Sequence, residues 1–285
     1  MKADVFLKQG AFLMLALDHD SSFRKMMNPD NPGKVSSESI IALKGRIMSP
    51  LFSRASGILI DSEHGLPAFK QLTQDALKHR PPFLLRAEAS GYEGEETARL
   101  NKIVYSPADL KKNGAKGVKL LLNFNPFSST ATQQLDTARS LLEDSHKEDL
   151  PIFIEIVTYN VPGFTTSRGA LILSSVERFV KEKIIPDVWK LEFPEDKPNI
   201  CREMTHLVKD TPWILLSRGV SFGVFREQLE TAAYEGARGF LAGRALWKEV
   251  SDYHGKEQDD FLREAIPARF EELSDIVLKH TTPTS

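Results

Sequence analysis

Eight short apolar runs, each followed by a longer stretch of helical character, constrain this chain more than any other feature. The runs are Ala11 to His19, Gly57 to Ser62, Phe83 to Ala89, Val118 to Phe124, Ile152 to Tyr159, Val188 to Phe193, Trp213 to Ser217 and Gly239 to Gly243. They are rich in Ile, Val, Leu and Phe and nearly continuous in hydrophobicity, as parallel strands buried on both faces are. Between them, stretches such as Ser174 to Ile185 and Phe225 to Tyr234 carry apolar residues three and four apart, the spacing of helices that cover a sheet on one face. Open doubly wound sheets usually stop at five or six parallel strands, so eight alternations predict a closed (β/α)8 barrel, an α/β TIM barrel spanning residues 1–285 as one domain. Trp247 to Tyr253 follow the eighth strand. A last helical pattern, Asp259 to Leu278, carries Phe261, Phe270 and Ile276, which suit a cap on the barrel or a neighbour in a homo-oligomer. The tail from Thr281 to Ser285 is expected to fray.

Composition narrows the partners. With 41% hydrophobic residues and a formal net charge of −2, the chain can bury one large core but lacks the cationic excess of a nucleic-acid binder. Small molecules are the expected ligands. The single cysteine, Cys201, excludes an internal disulfide, reads as an inert thiol and fits a reducing compartment. No run of about 18 apolar residues occurs and the amino terminus does not read as a signal peptide, so a cytoplasmic protein without a membrane span is expected. The seven histidines show no spacing of the metal-site type, and neither a metal nor a cofactor is expected.

In such a barrel the site forms at the C-terminal mouth, so polar residues at the ends of apolar strands are the candidates. The first strand ends in Asp18, His19 and Asp20, the second in Asp61 to His64, and the third in Arg86-Ala87-Glu88. Lys119 interrupts the fourth strand, Glu155 the fifth, and Lys190 and Glu192 the sixth. A buried ammonium without a partner is costly, and burial or a second cation lowers its pKa, the condition for a lysine to attack a carbonyl. Taken singly, each lysine could equally be half of an ion pair. Together with Glu155, the two supply an amine, a second cation and a proton carrier. After the seventh strand come Ser217, Arg218 and Gly219, and after the eighth Gly243 and Arg244. Close backbone approach at glycine, a guanidinium and a helix starting just beyond make this a phosphate-site pattern.

These segments resemble the tagatose 1,6-bisphosphate aldolase family and its relative, sulfofructosephosphate aldolase. The resemblance rests on Leu15 to His19, Ile58 to Ala68, Ser90 to Tyr92, Val118 to Leu121, Ile154 to Ile156, Trp189 to Glu192, Leu216 to Val220 and Gly243 to Trp247, in order along nearly the whole chain. It implies a metal-independent class I aldolase that cleaves a ketose phosphate to dihydroxyacetone phosphate and an aldehyde. Lys190 would form the imine, Glu155 would act as general acid/base, and Lys119 and Asp18 would assist. Ser217, Gly219, Gly243 and Arg244 would hold the phosphate, with His19 and Arg218 also in the binding set.

Two positions depart from the family pattern. Where the family's first strand usually ends Asp-Gln-Arg, this chain has Asp18-His19-Asp20, and an acidic Asp20 would repel a second anion. Arg218 stands where the family often has a small residue, either restoring that positive charge or pointing outward. The stretch Pro186 to Lys190 is also similar to barrels that act on keto-deoxy-gluconate phosphate. A keto-deoxy-sugar-phosphate aldolase and a transaldolase using the same lysine therefore stand as alternatives. So do a barrel isomerase or decarboxylase using Lys190 as an acid or base, and a non-catalytic phosphosugar sensor.

Overall fold

The computed structural model describes residues 2–72, 80–164, 166–195 and 199–281. Eight parallel strands close on themselves: β1 (Phe12–Leu17), β2 (Gly57–Ile60), β3 (Phe83–Arg86), β4 (Gly117–Phe124), β5 (Ile152–Thr158), β6 (Val188–Leu191), β7 (Trp213–Leu216) and β8 (Gly239–Ala242). Neighbours in sequence are neighbours in the barrel, and β1 pairs with β8 to close it, Phe12 lying opposite Gly239. Seven strands fall inside their predicted runs and stop short of the run's polar end, and β4 begins one residue early and continues to Phe124. Those polar residues therefore stand at the mouth, just beyond the regular ladder.

Side chains alternate about each strand. The outward set, including Leu13, Leu15, Ile58, Leu120, Ile154, Trp189 and Phe240, joins the helices in one continuous core. Phe12, Met14, Leu59, Leu84, Phe153, Val188, Ile214 and Leu241 fill the lumen from the N-terminal side. A 3-10 helix, Lys2–Phe6, closes the floor, with the Phe6 ring edge-on to Phe153 at a centroid separation of 5.5 Å. Gly57 makes room for that ring, because a Cβ there would come within 2.6 Å of Phe6 Cδ1. With its base packed, the barrel is open only at the mouth.

Helices fill the outer ring. The predicted helix at Ser174 to Ile185 is observed as Arg168–Lys181, capped by the Ser167 hydroxyl, and that at Phe225 to Tyr234 as Phe222–Tyr234, capped by Ser221. The sequence around Trp247 to Tyr253 forms one helical turn, Arg244–Trp247, and a 3-10 segment, Lys248–Asp252. The last helical pattern is Gly255–Asp260, a π turn over Phe261–Ala265, and Ile266–His280. It does not cap the barrel as expected. Phe270 packs edge-on against Phe240 on the outer face of β8, at 5.3 Å, so this helix takes the eighth place in the ring. Thr281 ends it through a hydroxyl bond to the Val277 carbonyl at 2.9 Å, and the rest of the expected fraying tail, residues 282–285, lies outside the described residues. Between β3 and β4 an antiparallel hairpin, Glu93–Glu95 with Ala98–Leu100, rises over the mouth, and no strong apolar signal marks it in the sequence. Among the described residues, no helix is long and apolar enough to cross a membrane.

Candidate active site

Register brings the charged side chains of the middle strands together. Arg86 lies opposite Lys119, and Glu155 opposite Lys190. Lys190 Nζ donates to Glu155 Oε2 at 2.8 Å, and Lys119 Nζ lies 3.1 Å from the same oxygen. Lys119 also donates to Glu88 Oε1 at 2.6 Å and to Asp18 Oδ2 at 3.0 Å. All five side chains are buried. Three carboxylates thus converge on one ammonium. Among the described residues no group of three or more His, Cys, Asp or Glu side chains is arranged to hold a metal.

This arrangement splits the protonation behaviour of the groups. Burial alone would lower Lys119, but Asp18, Glu155 and Glu88 outweigh it and hold the ammonium well above the ordinary lysine value. The expectation that a lumen lysine has a depressed pKa therefore fails at Lys119, where three anions surround the amine. For Asp18, burial pushes upward, yet Lys119, His19, Lys190 and Arg86 hold it far below the usual carboxylate range. Glu155 is lowered in the same way, with Lys119 and Lys190 overcoming burial. In Glu88 burial prevails over Lys119 and raises the carboxyl. Its Oε2 is buried without a hydrogen-bond partner, in the wall of the cavity. Two carboxyls of opposite tendency beside one amine are suited to moving protons.

The cavity at the mouth has a volume of about 320 Å³, enough for a small ligand. Asp18, His19, Lys119, Glu155, Lys190, Ser217, Arg218, Gly243 and Arg244 all line it. Gly219 acts one layer back. Its φ is +79°, and a Cβ there would come within 2.9 Å of Arg244 Cζ, so its bare backbone lets that guanidinium lie flat over the turn. Gly243 likewise leaves room for His19, whose Cε1 would be 2.8 Å from a Cβ. The His19 ring stands edge-on to Trp247 at 5.3 Å, and Trp247 Nε1 donates to the Ala16 carbonyl at 3.1 Å. Burial lowers the imidazole to about 4, so it is neutral at physiological pH. The helix expected to point its positive end at an anion is only the one turn Arg244–Trp247. Its dipole is correspondingly small, and the guanidinium of Arg244 supplies the charge.

The two departures noted in the sequence have structural partners. Arg24 Nε donates to Asp20 Oδ1 at 3.0 Å, so the acidic residue enters the mouth already paired. Arg218, in a left-handed conformation with φ +46°, turns inward and pairs with Glu192. Glu192 is itself fixed by the amide and hydroxyl of Thr158, at 2.8 and 2.6 Å. Sequence reasoning marked Glu88, Arg86 and Glu192 only as polar strand ends and gave them no role. Alternation about β3 was the signal for the first two, since Arg86 and Glu88 share the inward face that Leu84 starts. Arg86 binds the Asp18 carbonyl at 2.9 Å and Glu63 at 3.2 Å, tying the ends of three strands together.

Comparison with known proteins agrees with this geometry. A family model described as DeoC/LacD family aldolase matches residues 12–249. Tagatose 1,6-diphosphate aldolase 2 of Streptococcus pyogenes serotype M1 is 28% identical over 309 residues, covering 96% of this chain and 93% of that one. The tagatose 1,6-diphosphate aldolase of Listeria monocytogenes serotype 4a (strain HCC23) is 27% identical over 290 residues, covering 90% and 83%. Among solved structures, an archaeal fructose 1,6-bisphosphate aldolase superposes with a TM-score of 0.69 at 17% identity, over 98% of each chain. A structure of an archaeal fructose-1,6-bisphosphate aldolase with its catalytic lysine bound to a carbinolamine intermediate gives 0.67 at 17% identity, over 97% of this chain and 98% of that one. At these identities the solved structures speak for the fold.

Proposed function

Because this chain belongs to the DeoC/LacD aldolase family, we propose that it cleaves a phosphorylated ketose through an imine on Lys190, without a metal, giving dihydroxyacetone phosphate and an aldehyde. The observation that carries this reading is the Lys190–Glu155 hydrogen bond of 2.8 Å, inside a cavity whose rim presents Ser217, Gly243 and Arg244. The names of the Streptococcus and Listeria relatives support a substrate of the tagatose 1,6-bisphosphate type.

The chemistry follows from the contacts. Glu155 takes a proton from Lys190, and the free amine adds to C2 of the ketose. Glu155 returns that proton to the carbinolamine hydroxyl, which leaves as water and gives the protonated imine. A carboxylate then removes the C4 hydroxyl proton, the C3–C4 bond breaks, and its electron pair moves toward the imine nitrogen as an enamine. The aldehyde departs, C3 is protonated, and water releases the three-carbon product. Lys119 remains cationic throughout, keeps Asp18 anionic and favours return of Glu155 to its anionic form after each proton transfer. Glu88, with a raised pKa and an unpartnered oxygen, is a second carboxyl able to exchange the C4 proton. Arg244, Ser217 and the backbone at Gly243 hold the phosphate of the three-carbon half.

The test is incubation with dihydroxyacetone phosphate and borohydride, followed by intact mass and peptide mapping. A reduced adduct on the peptide containing Lys190, absent in Lys190→Ala, is the expected result. No adduct with this donor or with a panel of ketose phosphates would overturn the assignment. Dependence of product formation on an added acceptor aldehyde would identify a transaldolase instead.

A further inference from the structure

Behind the wall that Asp18, His19 and Asp20 give the mouth lies a polar cluster that the proposed chemistry does not use. Lys44, on helix Ser37–Met48, is fully buried and pairs with Asp61 just beyond β2. The other oxygen of that carboxylate accepts the backbone amides of His64 and Gly65, at 2.6 and 3.2 Å. The His64 backbone is thereby pinned from the core, and its buried imidazole reaches Arg24 on helix Ser21–Met27. Arg24 has three anchors: Asp20 Oδ1 at 3.0 Å, the Val35 carbonyl at 2.7 Å and His64 Nε2 at 3.3 Å. Asp20 lines the cavity, so this chain of contacts runs from the core to the mouth.

The surroundings of His64 admit one protonation state. A guanidinium only donates, so Nε2 must offer Arg24 a lone pair, and the Ser37 hydroxyl, 3.2 Å from the same nitrogen, can then donate to it as well. The proton therefore sits on Nδ1. The other side of the ring agrees. Nδ1 is buried, has no hydrogen-bond partner among the described residues, and faces two carboxylate oxygens, Asp20 Oδ1 at 3.6 Å and Asp61 Oδ1 at 3.7 Å. An N–H there is attracted to both oxygens, whereas a lone pair would be repelled by both. The opposite tautomer thus fails on each side of the ring, and a second proton, on Nε2, would point at the guanidinium.

We propose that His64 is a positioning residue: its Nδ1–H tautomer, set between Asp61 and Asp20, holds Arg24 against Asp20 and so keeps the mouth receptive to a phosphorylated ligand. Without that hold Asp20 stands unpaired on the wall of a cavity that takes an anion. The inference rests on the proposed phosphosugar site, and its measurements use no imine, so failure of the Schiff-base chemistry would not disturb them. Nitrogen-15 NMR of histidine-labelled protein near neutral pH should show His64, assigned by its loss in His64→Gln, protonated at Nδ1 and bare at Nε2. An Nε2–H tautomer or an imidazolium would overturn the proposal. Binding of dihydroxyacetone phosphate is then measured calorimetrically in the non-turnover Lys190→Ala background. His64→Leu should weaken it about fivefold or more, the effect of one like charge about 8 Å from the anion in a solvated cleft. His64→Gln, whose amide can offer an acceptor to Arg24 and a donor to the carboxylates, should restore most of the affinity. With Asp20→Asn already present, His64→Leu should change it less than about twofold, because no charge is left to neutralise. A merely structural role would lower the fraction of protein that binds and leave the dissociation constant as it was. Unchanged affinity in His64→Leu, or the same loss with and without Asp20→Asn, would overturn the proposal.

Discussion

Replacing Lys119 by methionine removes the one ammonium on which Asp18, Glu88 and Glu155 converge, at 3.0, 2.6 and 3.1 Å. Methionine fits the volume, so the change is chiefly electrostatic. Removing one member of a buried ion pair costs about 3–5 kcal/mol, because the remaining charge is stranded in low dielectric. Unfolding entropy for 285 residues is about 0.6 kcal/mol per kelvin, so Tm should fall by roughly 5–8 °C. The pH dependence is more diagnostic than the size. In the parent, Asp18 and Glu155 are held below their ordinary values, so their contribution is present above the unfolded pKa of about 4 and is lost as pH falls through the lower folded values. In Lys119→Met, Lys190 still serves Glu155, and Lys190 and Arg86 still face Asp18, but Glu88 loses the cation that opposed its burial, so its raised folded pKa rises further. Stability of the variant is then lost as pH rises through the folded value of Glu88 and recovered as it falls. Urea unfolding should accordingly show the largest deficit at pH 8 and a smaller one at pH 5, and Glu88→Gln added to Lys119→Met should recover part of it. A deficit below about 1 kcal/mol, or one of the same size at both pH values, would refute the argument.

Two further outcomes follow from single contacts. Gly219→Ala places a methyl group 2.9 Å from Arg244 Cζ at a position with φ +79°, so it should raise KM for phosphorylated substrates while leaving kcat nearly unchanged, as steady-state kinetics would show. Equal loss in a substrate lacking the phosphate would separate Arg244 from phosphate binding. Cys201 is fully buried and its thiol is pushed up to about 12, by burial first and by Glu235 second, so a disulfide exchange reagent should label it only after denaturation.

What was legible in the sequence was whatever broke an otherwise uniform pattern. Lys119, Glu155 and Lys190 stood out because a charge inside an apolar strand has few places to go, and alternation then put all three in the lumen. Barrel closure was legible because eight apolar runs recur in order. Other features had no such contrast. Lys44 sits on helix Ser37–Met48, which resembles the other covering helices, yet it is fully buried, paired to Asp61 and 5.4 Å above the Phe23 ring. Its carboxylate partner lies seventeen residues away, beyond any helical spacing. Hairpin residues Glu93 to Leu100 are polar and short, so neither period appears, and a second cavity, which they help enclose with Arg168, depends on contacts between distant segments. The last helix was misplaced for a related reason: periodicity reveals an apolar face but not what covers it, and here Phe240 does. Gly219 was marked as a phosphate contact; it lies behind the residues that line the cavity, where its bare backbone leaves room for Arg244.

The order of strands around the mouth has a historical consequence. The buried charged groups Asp18, Glu88, Lys119, Glu155 and Lys190 come from the ends of β1 and β3 and from β4 through β6, whereas Ser217, Gly243 and Arg244 come from the ends of β7 and β8. The two sectors meet along two seams, β6 with β7, where Lys190 lies opposite Ile214, and β1 with β8. On the proposed assignment, substitutions that retune the grip on the phosphate end of a substrate are therefore encoded in a different stretch of chain from those that touch bond cleavage. Such a barrel can drift toward new sugars through its last strands while its reaction is inherited intact.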